Sequence, residues 1–165
     1  MKNIALLIIS ILILGCEKDN RHQGDTTALI NGENWDGFNE MRPMSDMEGY
    51  FHIPSATGDI GGSHDRLRIF NLPYKEGKYI VYRTNGVNND SLVGASYSTI
   101  IGGDQPSGSW SVPEMSDSSS YVEITFYDEC SQKVEGIFNL TLVGGPEPDT
   151  IRFENGQFEG KISDD

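Results

Sequence analysis

The chain has 165 residues, with 25 acidic and 12 basic side chains and a formal net charge of −13 at pH 7. That field repels phosphate backbones and anionic head groups, so nucleic acid is excluded as a partner; its plain consequence is solubility. Two cysteines are too few to staple a small scaffold, and a hydrophobic core has to hold the fold.

The chain opens MKNIALLIISILILGCEKDN, with Lys2, an apolar run from Ile4 to Leu14, then Gly15 and Cys16. Spanning a bilayer takes about 18 apolar residues, so the run is too short for a membrane helix and suits the core of a signal peptide. Cleavage before Cys16 leaves 165 − 15 = 150 residues and, with Lys2 gone, a charge of −14. One domain of that size buries roughly 70% of its unfolded surface. The expected organisation is a leader over 1–15, a polar tether over 16–25, a single β domain over 26–162 and a tail over 163–165.

Ile13, Leu14, Gly15 and Cys16 resemble the lipobox of bacterial lipoproteins, in which the cysteine is lipidated and becomes the first mature residue. An ordinary secretory signal with an incidental cysteine is the other reading. The resemblance implies several acyl chains on Cys16. At about 0.8 kcal/mol per buried methylene, these hold a protein on a membrane without help from the fold. Glu17, Lys18 and Asp19 resemble the short charged signal that sends lipoproteins of the Bacteroidota to the cell surface. This implies an outer-membrane lipoprotein facing outward, with a periplasmic position as the alternative. A lipidated Cys16 leaves Cys130 without an intramolecular disulfide partner, and Asp128 and Glu129 beside it disfavour a reactive thiolate.

Beyond the tether, Thr27–Ile30 and a run reaching Trp35 flank Asn31-Gly32, whose residue types tolerate the positive φ of a tight hairpin turn. Residues 39–46 have no period and contain Pro43, which reads as a loop. A strand is expected over 49–53, then a glycine-rich connection from Ala56 to Asp65. Within it Ser63, His64 and Asp65 are adjacent, and adjacent side chains cannot converge as a catalytic triad. Arg66–Leu72 alternates Leu67 and Ile69 with Arg66 and Arg68, and Pro73 ends the run. A turn near Gly77 leads to a strand over 78–83. Asn85–Asp90 is a polar loop with one carboxylate, too few for calcium.

Ala95–Ile101 reads as a strand, residues 102–109 as a long loop, and Trp110 and Val112 as a short strand ending at Pro113. The strongest signal is Tyr121–Leu142. Val122, Ile124 and Phe126 alternate with polar residues, as do Val134, Gly136, Phe138, Leu140 and Leu142, and Asp128–Lys133 breaks the run. Two period-two runs of that kind make an antiparallel hairpin, placed here at the centre of the domain. Ile151 and Phe153 begin a strand, Asn155-Gly156 marks a bulge or turn, and Phe158 and Ile162 carry the last strand. About eleven short strands, without a segment of helical period beyond the leader, predict an all-β fold, an antiparallel β-sandwich or barrel-like sandwich.

ALINGENW, EITFYDECSQKVEGIFNLTL and IRFENGQFEGKI together resemble a family of small Bacteroidota lipoproteins of unknown function. The family shares an A-x-I-N-G-x-x-W start, a Y-D turn before a G-x-F strand, and a closing N-G-x-F. These are turn and core motifs, so the resemblance implies a fold and carries no activity, catalytic residue or cofactor. Asp25-Thr26-Thr27, Asp90-Ser91-Leu92 and Asp149-Thr150-Ile151 also resemble the D-[ST]-apolar acceptor of protein O-glycosylation in that phylum.

Three functions follow from these residues. The leading one is a non-enzymatic binding module for a glycan or protein ligand. Trp110, Tyr97 and Tyr82, with Trp35, are candidates for an aromatic platform under a sugar ring, though the same rings serve equally as core. The alternatives are a hydrolase using two carboxylates, none of them marked by context, and a structural envelope protein. A metal held by His52, His64 and Asp65 or Asp59 fits no standard zinc spacing, so no metal or other cofactor is expected.

Overall fold

A computed structural model describes residues 23–58, 63–83, 92–102, 105–113, 119–145 and 149–163. The leader, Cys16 and the loop 85–90 lie outside the described residues. Eleven strands are present among them: β1 Gln23–Ile30, β2 Glu33–Glu40, β3 Arg42–Pro43, β4 Tyr50–Ala56, β5 His64–Pro73, β6 Gly77–Ile80, β7 Gly94–Ile101, β8 Gln105–Ser111, β9 Tyr121–Asp128, β10 Lys133–Gly144 and β11 Asp149–Lys161. No described helix is long and apolar enough to cross a membrane.

The fold is all-β, and of the two expected architectures it is the barrel. Strands run in the order β11-β1-β2-β4-β5-β7-β8-β10, and β10 pairs back onto β11, which closes an eight-stranded antiparallel ring. Closure leaves no open edge in that ring. The β9–β10 hairpin is its hub. β10 pairs β11 from Lys133 to Gly144, β9 along Lys133–Asn139, and β8 at Val143 and Gly144. β6 continues the sheet beyond β9.

The hydrophobic alternation explains the closure. Inward positions carry Phe51 and Ile53 on β4, Leu67 and Ile69 on β5, Val134, Phe138, Leu140 and Leu142 on β10, and Phe153 and Phe158 on β11, all buried. Phe153 is the centre of the ring packing, at 5.7 Å from Trp35, 5.3 Å from Tyr97 and 6.2 Å from Phe138 between ring centroids. The interior is therefore filled by side chains. A small polar cluster shares it: Thr26 Oγ1 lies 2.8 Å from Ser55 Oγ, and Asn39 Nδ2 donates to Thr26 Oγ1 at 2.9 Å and to the Asp25 carbonyl at 2.9 Å.

The Asn31-Gly32 turn is as expected, with φ of 50° and 88°. Asn155, at φ 52°, marks a bulge inside one continuous β11, so the bulge reading holds and the turn reading falls. Several boundaries move: β3 forms within the expected loop 39–46, β4 runs on to Ala56, β5 starts at His64 and β6 ends at Ile80. β1 begins at Gln23, where Gln23 pairs Glu40 and Asp25 pairs Glu159, so part of the expected tether is strand. β2 runs on to Glu40 and places Asn39 inside the barrel, because its side-chain hydrogen bonds replace water. β8 begins at Gln105, in a stretch read as loop, since its outward residues are serines and its inward Gly108 makes room for the Trp110 ring.

Candidate binding face

β4 and β5 alternate, so Phe51, Ile53, Leu67 and Ile69 fill the barrel while His52, Pro54, Arg66 and Arg68 point outward. The register sets these outward residues in rows. Ala56 pairs Arg66 and Pro54 pairs Arg68 across β4–β5; Arg66 pairs Ser98 and Arg68 pairs Ser96 across β5–β7; Ser98 pairs Ser109 and Ser96 pairs Ser111 across β7–β8. At about 4.8 Å between strands, each row is roughly 14 Å long, and the two rows stand about 7 Å apart. β3 adds Arg42 opposite His52.

This face is cationic in a chain of net charge −13. Arg42, His52, Arg68, Arg66 and His64 form one continuous series, with Arg66 Nη2 3.5 Å from His64 Nε2. Burial, then the charges of Arg42 and Arg68, hold the His52 pKa below its ordinary value. Burial and the neighbouring Arg66 lower that of Arg68. Arg42 pairs with Glu40, whereas neither Arg66 nor Arg68 makes an ion pair among the described residues. Asp65, between His64 and Arg66 in sequence, hydrogen-bonds the Tyr97 hydroxyl instead. Among the described residues the hydroxyls of Ser96, Ser98, Ser109 and Ser111 make no side-chain hydrogen bond, whereas Ser107 bonds Thr99 at 2.8 Å.

The aromatic candidates go elsewhere. Trp35, Tyr97 and Trp110 are 5%, 4% and 9% exposed and belong to the core, where Tyr97 lies 5.5 Å from Trp110. Their ring faces are covered by protein, and Tyr82 alone, 39% exposed, is accessible to a ligand. The aromatic platform is not assembled, because period-two alternation turns Tyr97 and Trp110 inward opposite each other. The two histidines do not meet either. His52 lies beside Arg42 near one end of β4, while His64 begins β5 beyond the Ala56–Arg66 pair, and no group of metal-ligating side chains forms among the described residues.

Two carboxylates, Asp25 and Asp36, border a shallow depression with Thr26, Thr27, Gly37 and Phe38. Both are exposed and offset by two residues across β1–β2, so water screens them. Of the three glycosylation-like triplets, Thr26 is buried and bonded to Ser55, which removes it as an acceptor; Ser91 lies outside the described residues; Thr150 is the second residue of β11 and is half-exposed. Cys130 is exposed in the β9–β10 turn, and the other cysteine, Cys16, on which its pairing depends, lies outside the described residues.

Compared with known proteins, the chain matches no protein-family model, no curated protein and no solved structure. Sequence signals that would have found the basic face were present, since Arg66 and Arg68 alternate with Leu67 and Ile69. What they lacked was the register that aligns them with serines on two later strands.

Proposed function

We propose that the protein is a membrane-tethered, non-enzymatic binding module, held by lipid on Cys16 and engaging a glycan or protein ligand outside the cell. The observation that carries the binding reading is the outward face of β4, β5, β7 and β8. It combines arginines that make no ion pair and serine hydroxyls that make no side-chain hydrogen bond among the described residues. A filled barrel offers a ligand its outside. The leader, the lipobox-like Ile13-Leu14-Gly15-Cys16 and the charged Glu17-Lys18-Asp19 support the tether and the outward position.

The test is a glycan array probed with the full chain, in calcium and again in chelator, beside detergent-phase partition of the chain expressed with its own leader. Specific binding with partition into detergent, lost on Cys16→Ala, is the expected result. No ligand on the array, together with no protein captured by cross-linking on intact cells, overturns the module.

A further inference from the structure

We propose that the ligand of this module is an acidic oligosaccharide, one carrying carboxylate or sulfate groups, read by Arg66 and Arg68 together with the serines of β7 and β8. The inference rests on the binding-module reading and names the ligand class of that same face.

Outward positions on one strand that both carry arginine place like charges side by side, which costs stability unless something neutralises them. The protein has acids in excess, yet Asp65 turns to Tyr97 and Glu40 to Arg42. Arg66 and Arg68 therefore face outward with no carboxylate of the described residues bound to them. A guanidinium is a planar fork that takes a carboxylate or sulfate through two parallel hydrogen bonds. The cations thus ask for an anion with paired oxygens.

The serines decide between kinds of anion. Protein interfaces centre on apolar and aromatic anchors. Of the exposed large apolar side chains, Phe126 and Ile137 belong to β9 and β10, and Tyr82, Leu92 and Ile101 lie beside the ends of β7, whereas the rows between them contain Ser96, Ser98, Ser109 and Ser111. Hydroxyls that both donate and accept suit a ligand covered in hydroxyls. Sugar rings with anionic substituents match rows that run from an arginine on β5 to serines on β7 and β8. Net charge limits the length of such a ligand. At physiological salt the Debye length is about 8 Å, so the patch governs close contact while distant acids of the protein repel a long polyanion.

The experiment uses the full chain and three labelled probes: an oligogalacturonate, a neutral glucose oligosaccharide of equal length, and a glutamate peptide of equal charge. Binding is read by fluorescence anisotropy. The oligogalacturonate binds, the neutral oligosaccharide does not, and the peptide binds at least fivefold more weakly. Arg66→Gln with Arg68→Gln lowers affinity at least tenfold and flattens the salt dependence, and Ser98→Ala with Ser109→Ala lowers it severalfold. A circular-dichroism melt unchanged from wild type shows that each variant folds; the serine pair supplies a second reading should the arginine pair not fold. Equal binding of charged and neutral sugars, or of sugar and peptide, overturns the proposal, as does no oligogalacturonate binding or a folded arginine variant with unchanged affinity. In the last case the module reading survives with another site.

Discussion

Phe138 stands opposite Gly156 across β10 and β11, and a Cβ on that glycine would lie 2.5 Å from the Phe138 Cε2 and Cζ atoms. The relationship is reciprocal. Gly136 stands opposite Phe158, at 2.2 Å from a Cβ to its Cζ, and the two phenylalanine rings stack with centroids 6.5 Å apart. Each ring thus occupies the space that the other strand leaves by having glycine there. Gly156→Ala is expected to cost about 1–3 kcal/mol by overpacking, and Phe138→Ala about 3–5 kcal/mol through its cavity. The double variant should cost less than the sum by at least about 0.5 kcal/mol. Gly136→Ala should not be relieved by Phe158→Ala to the same degree, because its Cβ also meets the Glu123 carbonyl at 2.4 Å. Urea unfolding of the two cycles measures this; additive costs in the Gly156–Phe138 cycle would refute the reciprocal packing, and equal relief in both cycles would refute the role of the Glu123 carbonyl.

These pairs account for how the chain could be read. G-x-F and N-G-x-F were visible as motifs, and so was the Tyr121–Leu142 hairpin, because apolar alternation and turn residues are local signals. Closure was not, since it depends on β10 pairing β8 at only Val143 and Gly144 while also pairing β9 and β11. Asn39 and Gln105–Ser109 were read as loop because buried asparagine and outward serine break the hydrophobic pattern that marks a strand. The candidate face was hidden for a related reason: Arg66, Ser98 and Ser109 meet through register, and register between distant strands leaves no mark in either of them.

The His52 imidazole gives stability a pH dependence. Its folded pKa lies below the ordinary 6.5, through burial and then the charges of Arg42 on β3 and Arg68 on β5. On acidification the unfolded chain takes up the proton first, so stability falls as pH drops through 6.5 and levels off below the folded pKa. Thermal melts from pH 7.5 to 5 should show this fall, and His52→Gln should remove that part of it. Arg68→Gln should raise the His52 pKa, seen in its imidazole NMR titration, because a neighbouring positive charge is gone. A bound anion acts in the same direction, so oligogalacturonate affinity should increase as pH falls. An unchanged His52 titration in Arg68→Gln would contradict the proximity of the two groups.

Tyr97 is held from ionising by burial and then by the Asp65 carboxylate, which also accepts its hydrogen bond. Tyr82 is exposed. In an alkaline absorbance titration, Tyr97→Phe should leave the signal of the folded protein unchanged and lower it only once the protein unfolds. Loss of the hydrogen bond in Tyr97→Phe should cost about 1 kcal/mol. A titration in which Tyr97→Phe also lowers the amplitude in the folded range would place that hydroxyl in water.

The β9–β10 turn bears on the proposed tether. The Asp128 carboxylate accepts from the Cys130 and Ser131 backbone amides at 3.1 and 3.3 Å, which fixes Cys130 at an exposed position beside two acids. The sequence contains one other cysteine, Cys16. A thioether to lipid at Cys16 and a disulfide from Cys16 to Cys130 are mutually exclusive within a molecule, since both need the same sulfur. Membrane-extracted protein whose intact mass includes acyl chains should therefore take up one maleimide per chain, at Cys130. Soluble chain that keeps an unmodified Cys16 should take up none until it is reduced. Cys130→Ser should leave lipidation and membrane partition intact while abolishing labelling of the membrane form. Acylated chain that takes up no maleimide after full unfolding would show that the lipid is not on Cys16, and the tether would then need another point of attachment.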